Sequence, residues 1–372
     1  MQILSISNTP HDPNQGSGYV ITGYVEGLRK RDHNVDAHGP GDWCWVDVHR
    51  GRRYFYPIMI AFFGLWCCRP PDYDLVELWG GHTWLLAVCI EQLWPKLLLV
   101  HHSNGIEQHR VRVQRKTSVE LIQNRRWFQW DVSQLHDRGL HAADAIVTVS
   151  SYDLPFLKER RYVPGERLFA IDNPLPDLFL NRDVQYDRPN RVGFCGVWSA
   201  RKAPPVLVRD ISEFLRTHPD WMFSVVGVGD TDVTRQFPGD VHERIEVIPF
   251  LEREELVDWY HTLAIFTLPS VYESFGLVMA EAMACGCALV ATNVGFAHGL
   301  EHEEEALILA QAQSPHLVEV LDTLVEDDAL RCRIAGNGYE RVQDLRWNDA
   351  VDRLESIYKT LVEDYSSPSV TA

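Results

Sequence analysis

Two glutamates, Glu273 and Glu281, stand in the segment SVYESFGLVMAEAMACG at residues 270–286. Glu281 shares a helix face with Leu277, Val278, Ala284 and Cys285 at i±3 and i±4 spacing, so that face is expected to be buried. A buried carboxylate needs hydrogen-bond donors. The hydroxyls of a ribose would supply them, or the backbone would satisfy an ordinary core glutamate. The free amides of Phe275, Gly276 and Leu277 open the same helix, where the macrodipole favours an anion such as phosphate. Gly286 is placed to stop that helix. A second phosphate site is suggested by FCGVWSARKAPPVL, residues 194–207. There Gly196 ends a strand, Lys202 lies in the following loop, and Pro204 or Pro205 suits the first turn of the next helix. The alternative for Lys202 is a solvated loop charge. In the first half, Gly16 and Gly18 lie between a strand and a helix, either for close approach to a ligand or as a plain tight turn. His101 and His102 end another strand, followed by Asn104 and Glu107.

Elements that could hold these residues are visible as short apolar runs alternating with amphipathic stretches, the pattern of parallel α/β sheets. The clearest strands of the first half are MQILSIS, DLVELW, KLLLVHH and AIVTVS. Those of the second are RVGFCG, WMFSVVGVG, RIEVIPF, AIFTLPS and CALVAT. Between them, residues 173–190 are rich in Pro, Asn and Asp without periodicity and read as a linker. A chain of 372 residues with 45% hydrophobic content suits two doubly wound domains, expected at 1–180 and 181–349. The N-terminus lacks the basic and small-residue features of a signal peptide. Eight cysteines without CxxC or framework spacing predict reduced core thiols in a cytoplasmic protein. Residues 1–180 carry 19 Lys and Arg against 20 Asp and Glu, and residues 181–372 carry 16 against 32. That acidic excess argues against a nucleic-acid partner.

Taken together, these features resemble the retaining GT-B glycosyltransferases of glycosyltransferase family 4. The E-x7-E segment from Glu273 to Glu281 is the most specific motif. The glycine loop, ADAIVTVSSYD, the Gly196 to Lys202 turn, SVVGVGD and LRWNDAVDRLESIY extend the likeness over nearly the whole chain. The resemblance implies two Rossmann-like domains, the first on the acceptor side and completed by a C-terminal helix at about residues 350–365. It implies a nucleotide diphosphate sugar as donor, a UDP-sugar by family frequency, with no metal or other cofactor required. Glu281 would bind the ribose hydroxyls and Glu273 the donor sugar, with the Phe275, Gly276 and Leu277 amides near sugar and phosphates. Lys202 would neutralise the diphosphate beside Gly196, and Gly16 and Gly18 would approach it from the other domain. His102 is taken as the active-site histidine, with His101 and Asn104 as the competing positions.

Some positions depart from the family pattern. Val197 and Trp198 stand where an arginine is common, Asn173–Pro174 replaces an Asn-Gly, and NVGFAHG replaces a Gly-Gly-x-x-Glu loop. Two rival readings of the same motifs are a noncatalytic nucleotide-binding subunit and a sugar-nucleotide epimerase. A nicotinamide dehydrogenase fits worse, because QGSGYVITG is not GxGxxG. The acceptor is left open among a glycan, a small molecule and a lipid-linked group. Two segments bear on it: HRGRRYFYPIMIAFFGLWCC at 49–68 and HRVRVQRKTSVELIQNRRWFQW at 109–130. The first is too short to span a bilayer and reads as a buried helix or as a surface for an anionic membrane. The second reads as a solvated helix face or a surface for a lipid or anionic acceptor.

Overall fold

The structure, a computed structural model, describes residues 1–13, 16–44, 52–116, 129–311 and 317–366. The chain forms two compact units. Unit 1 comprises Met1–Arg110, Asn124–Pro174 and Trp347–Ala372, and unit 2 comprises Val111–Gln123 and Leu175–Arg346.

Unit 1 is built on a parallel sheet of β1 (Gln2–Ser7), β2 (Asn34–His38), β3 (Leu75–Trp79), β4 (Leu98–Ser103), β5 (Ala145–Thr148) and β6 (Leu168–Ala170). Its spatial order is β2-β1-β3-β4-β5-β6. The order reverses between β1 and β3, the place where open α/β sheets bind ligands at their carboxyl ends. Strands β3, β4 and β5 are buried along their full length, as central parallel strands covered on both faces must be.

The last helix, Trp347–Ser366, belongs to unit 1 although the whole of unit 2 is inserted before it. It lies against the first helix, Gly16–Arg29. Gly23 and Gly27 clear the groove: a Cβ on Gly23 would fall 2.0 Å from the Trp347 ring, and one on Gly27 would fall 2.5 Å from Val351. The Trp347 indole donates to the Tyr19 hydroxyl at 2.6 Å. Further along the helix, Tyr358 is fully buried. Its hydroxyl donates to Glu77 and meets His102 Nε2 at 2.6 Å.

The helix Arg52–Phe63, continued by a wide π turn at Gly64–Cys68, is buried on one face and exposed on the other. Tyr56, Ile60, Ala61 and Phe63 join the unit 1 core with Leu78 and Leu86. Tyr54, Phe55, Ile58, Phe62 and Trp66 are exposed. The expected basic cluster fares differently: Arg50, Arg125 and Arg126, and the side chains of Arg52 and Arg53, lie outside the described residues.

Unit 2 carries a second parallel sheet of β7 (Arg191–Cys195), β8 (Met222–Val226), β9 (Ile245–Ile248), β10 (Ile265–Leu268), β11 (Ala288–Thr292) and β12 (Leu307–Leu309). The order β12-β11-β10-β7-β8-β9 is that of a dinucleotide-binding sheet, with its reversal between β7 and β10. The eight cysteines are free thiols.

Candidate active site

In unit 2 the loops after β7 and β10 flank the reversal point, and they carry most of the residues singled out by sequence. Gly196 leaves β7 with φ +131°, a conformation that L side chains rarely adopt, and a Cβ there would touch Lys202 at 3.4 Å. The turn Ala200–Lys202 then leads into the helix Pro204–Thr217, which has proline in its first turn as expected. Val271 N–H donates to the Arg201 carbonyl at 2.8 Å and ties this loop to the one after β10.

Lys202 is a buried charge, not a solvated one, with 5% exposure. Its Nζ donates to Glu273 Oε1 at 2.8 Å, Ser270 Oγ donates to the same oxygen at 2.8 Å, and Arg201 stands 3.9 Å from Oε2. Burial pushes the Glu273 carboxyl up. The Lys202 and Arg201 charges, with the hydrogen bonds from Lys202 and Ser270, outweigh that and hold it below its ordinary value.

Gly276 caps the helix Leu277–Ala284 at φ +84°, and Gly286 follows it at φ +75°. The opening amides of such a helix have no intrahelical acceptor. Gly295 approaches from the next loop so closely that a Cβ would lie 2.4 Å from the Phe275 carbonyl, which accepts from Phe296 N–H at 2.8 Å. Phe275 is thereby pinned beneath Phe296, their rings 5.2 Å apart. Glu281 corrects one expectation. Leu277, Val278 and Glu281 are half-buried, and only Ala284 and Cys285 of that face are sealed. The donor that Glu281 requires is partly internal: the Tyr260 hydroxyl reaches its Oε2 at 3.2 Å. Burial nevertheless raises its carboxyl to about 7. Tyr260, on the helix Arg253–His261, was not anticipated, because nothing in WYHTL announces a partner for a helix two elements later.

Unit 1 has its own pocket at the carboxyl end of its sheet. Asn8, Gly80, Gly81, His82, His101 and Ser103 line it, with His136 and Glu107 among the further walls, and about 200 Å³ is open inside. Asn8 Nδ2 and His82 Nδ1 are 2.8 Å apart, and the His82 and His136 rings meet edge to face at 5.5 Å. Glycine is needed at 80, where φ is +85° and a Cβ would strike the Asn8 side chain at 2.2 Å. His101 is 5% exposed, and its Nδ1 has no hydrogen-bond partner in the structure. Burial, with His102 and His136 nearby, lowers its imidazole to about 3.

His102, taken from the sequence as the active-site histidine, does not line this pocket. Successive side chains of a strand point to opposite faces. His101 and Ser103 turn to the pocket, and His102 turns to the core beneath the C-terminal helix. There it stacks on Trp79 at 3.9 Å, bonds Tyr358, and lies 3.6 Å from Glu77. Burial lowers it too to about 3. Asn104, the third position, is not among the residues lining the pocket. Gly18 also has a local role. A Cβ there would lie 2.6 Å from the carbonyls of both Pro10 and Asp12, so the close approach is made by the chain's own loop. Gly16 opens the helix with nothing within 4 Å of its Cβ position. Asn8, His82 and His136 had no signal in the sequence beyond HT following a glycine pair at the end of a strand.

The family model described as "Glycosyl transferases group 1" matches residues 189–327, the heart of unit 2. The D-inositol 3-phosphate glycosyltransferase of Corynebacterium efficiens is 31% identical over 313 residues, 77% of this chain and 71% of that protein. This chain belongs to the group 1 glycosyl transferases. Another relative in the group is D-inositol 3-phosphate glycosyltransferase 1 of Catenulispora acidiphila, 29% identical over 79% of this chain and 74% of its own length. Among solved structures, sucrose-phosphate synthase of Thermosynechococcus elongatus superposes with a TM-score of 0.77 at 20% identity, over 98% of this chain and all of that one. Anabaena Alr3699/HepE, solved in complex with UDP, gives 0.66 at 15% over 97% of this chain and 100% of its own. The fold of this group 1 glycosyl transferase is GT-B, two Rossmann-like units each with a six-stranded parallel sheet. Among its described residues there is no cluster of three or more His, Cys, Asp or Glu placed to hold a metal ion.

Proposed function

We propose that this glycosyl transferase moves a sugar from a nucleotide diphosphate sugar, with a UDP-sugar favoured, to an acceptor hydroxyl with retention of anomeric configuration. The observation that carries the reading is the buried cation Lys202 beside an unencumbered helix start at the β7/β10 reversal. That combination suits a diphosphate. Lys202 and the Phe275–Leu277 amides would hold the leaving diphosphate by preorganised charge and dipole, with no metal needed in this reading. Glu281, with one oxygen on Tyr260, would take the ribose hydroxyls, and Glu273 would contact the donor sugar. The donor C1–O bond breaks with its electron pair going to the diphosphate, and the acceptor oxygen bonds to C1 on the same face. The acceptor proton passes to the departing phosphate oxygen. The unit 1 pocket is suited to a hydroxyl group: a neutral imidazole offers one donor and one acceptor nitrogen, and His101 Nδ1 has room for a partner.

The crystal of HepE with UDP-glucose lends support to the UDP assignment by likeness of fold only. Thermal shifts with UDP-, GDP- and ADP-glucose test the donor, since a ligand at 100 times its Kd adds about 2.7 kcal/mol of stability. Nucleotide release should then be followed with inositol 3-phosphate, glycan and lipid-linked acceptors, with and without a chelator, and the product anomer read by proton NMR. Absence of both a shift and release with every donor would remove the proposal. An inverted product anomer would remove its stereochemical part.

A further inference from the structure

The helix Arg52–Phe63 and its continuation to Cys68 have an outer face of unusual chemistry. A surface helix ordinarily turns charged and polar side chains to water. From Tyr54 to Cys68 every exposed side chain here is apolar, aromatic or a thiol: Tyr54, Phe55, Ile58, Phe62, Trp66 and Cys67. Trp66, 67% exposed, and Ile58, 58% exposed, stand furthest out. Five of the nine exposed large hydrophobic side chains among the described residues fall on this one segment. Spacing aligns them, since Tyr54, Ile58, Phe62 and Trp66 follow at i+4 steps. Phe62 and Trp66 also stack at 5.0 Å across the start of the π turn, which gives the ridge an aromatic end.

We propose that this ridge docks the protein on an anionic lipid surface, lying in the headgroup layer with Phe62, Trp66 and Ile58 entering the acyl boundary. Three observations favour a bilayer over a protein partner. The ridge mixes Trp, Tyr and Phe, the side chains that settle at membrane interfaces. Cations flank it in the sequence: Arg50, Arg52 and Arg53 before it, and exposed Arg69 after it. With a net charge of −17, the chain as a whole is repelled by anionic lipid, so a local basic and apolar patch is what adhesion requires. Finally, a stable dimer buries about 20–30 residues a side, far wider than a ridge in single file. No helix among the described residues is long and apolar enough to cross a membrane, so the proposed contact lies on the surface.

The test is co-sedimentation of the full chain with vesicles of phosphatidylcholine alone and of phosphatidylcholine mixed with phosphatidylglycerol, at low and high salt. Binding should be about tenfold or more stronger to the anionic vesicles at low salt, and should weaken as salt screens the flanking arginines. The outward substitutions Ile58→Glu and Phe62→Glu together should abolish it. A gentler pair, Phe62→Ser and Trp66→Ser, should lose about tenfold with an unchanged circular-dichroism melt. Failure of the wild type to sediment with anionic vesicles at low salt overturns the proposal, as does equal binding by the folded variants. Concentration-dependent dimerisation that the variants abolish, without vesicle binding, would assign the ridge to a second copy instead.

Discussion

The two sheets of this protein each reverse their strand order once and place polar residues at that reversal, yet they stock it with opposite chemistry. Unit 2 buries a full ion pair, Lys202 and Glu273, with Arg201 at its edge. Unit 1 lines its pocket with His82, His101 and His136, and burial keeps His101 neutral. A buried ion pair holds charge ready for an anion, whereas neutral imidazoles offer hydrogen bonds to hydroxyl groups. Under the proposed function, this contrast would sort the two halves of a transfer reaction by electrostatics, with phosphate chemistry in one unit and hydroxyl chemistry in the other.

The largest expected effect comes from breaking the charged side of this comparison. Lys202→Met leaves Glu273 buried with only Ser270 and the more distant Arg201, which should destabilise the fold by up to about 3–5 kcal/mol in urea unfolding. Adding Glu273→Gln should recover most of that stability and none of the transferase activity. A Lys202→Met protein as stable as wild type would show that the pair is not a buried ion pair in solution.

Next in size is Tyr358→Phe, which deletes one oxygen from the sealed Glu77–Tyr358–His102 cluster. The orphaned partners should cost about 1–3 kcal/mol. Glu77 shares its other oxygen with Trp79 Nε1 at 3.1 Å and would keep that bond. Gly23→Val in the helix groove provides a control for packing alone, since it crowds Trp347 without touching the polar cluster.

The comparison is sharpened by pH, because the two units should respond with opposite sign. Glu281 titrates at about 7 when folded against an ordinary 4.5, so its contribution to stability is complete below 4.5 and disappears as pH rises through 7. His101 titrates at about 3 against an ordinary 6.5, so its contribution is complete above 6.5 and disappears as pH falls toward 3. Glu281→Gln should therefore gain melting temperature over wild type as pH rises from 4.5 to 7. His101→Gln should gain it as pH falls below 6.5. Parallel trends in the two variants would erase the contrast.

The smallest effect concerns binding. Glu281→Gln retains a hydrogen-bonding oxygen and should weaken nucleotide affinity by only about 0.5–1.5 kcal/mol in titration calorimetry. Unchanged affinity would detach Glu281 from the ribose.

Much of this was legible in the residues and some of it was not, for reasons that differ by element. The nine strands anticipated form as read, and all but the edge strand β9, which buries only Ile245, are buried along most of their length. Strand β2 escaped because NVDAH, at the sheet edge, buries only Val35. Strands β6 and β12 are three residues each, too short to carry a pattern. The unit 2 site was readable because one contiguous segment brings Glu273, the helix start and Glu281 together. The unit 1 pocket gathers Asn8, His82, His101 and His136 from four separate segments, and only the topology joins them. Which of His101 and His102 faces the pocket was not legible for a sharper reason. Strand β4 is buried on both faces, so no alternation in the sequence reveals which histidine faces which way.

The helix Trp347–Ser366 has a consequence for how the protein is made. Unit 1 starts to emerge from the ribosome before unit 2, yet the groove at Gly23 and Gly27 and the polar site around Glu77 are filled only by the helix Trp347–Ser366. At about 5–20 residues per second, the intervening residues 175–346 take roughly 10–35 s to synthesise. Throughout that interval the nascent first unit presents an open groove and a Glu77 carboxyl that lacks its Tyr358 donor, while unit 2 has every segment it needs before that helix is made. Completion of the two domains is therefore inverted relative to their order in the chain, and a chaperone guarding the nascent protein would find its binding surface along the first helix.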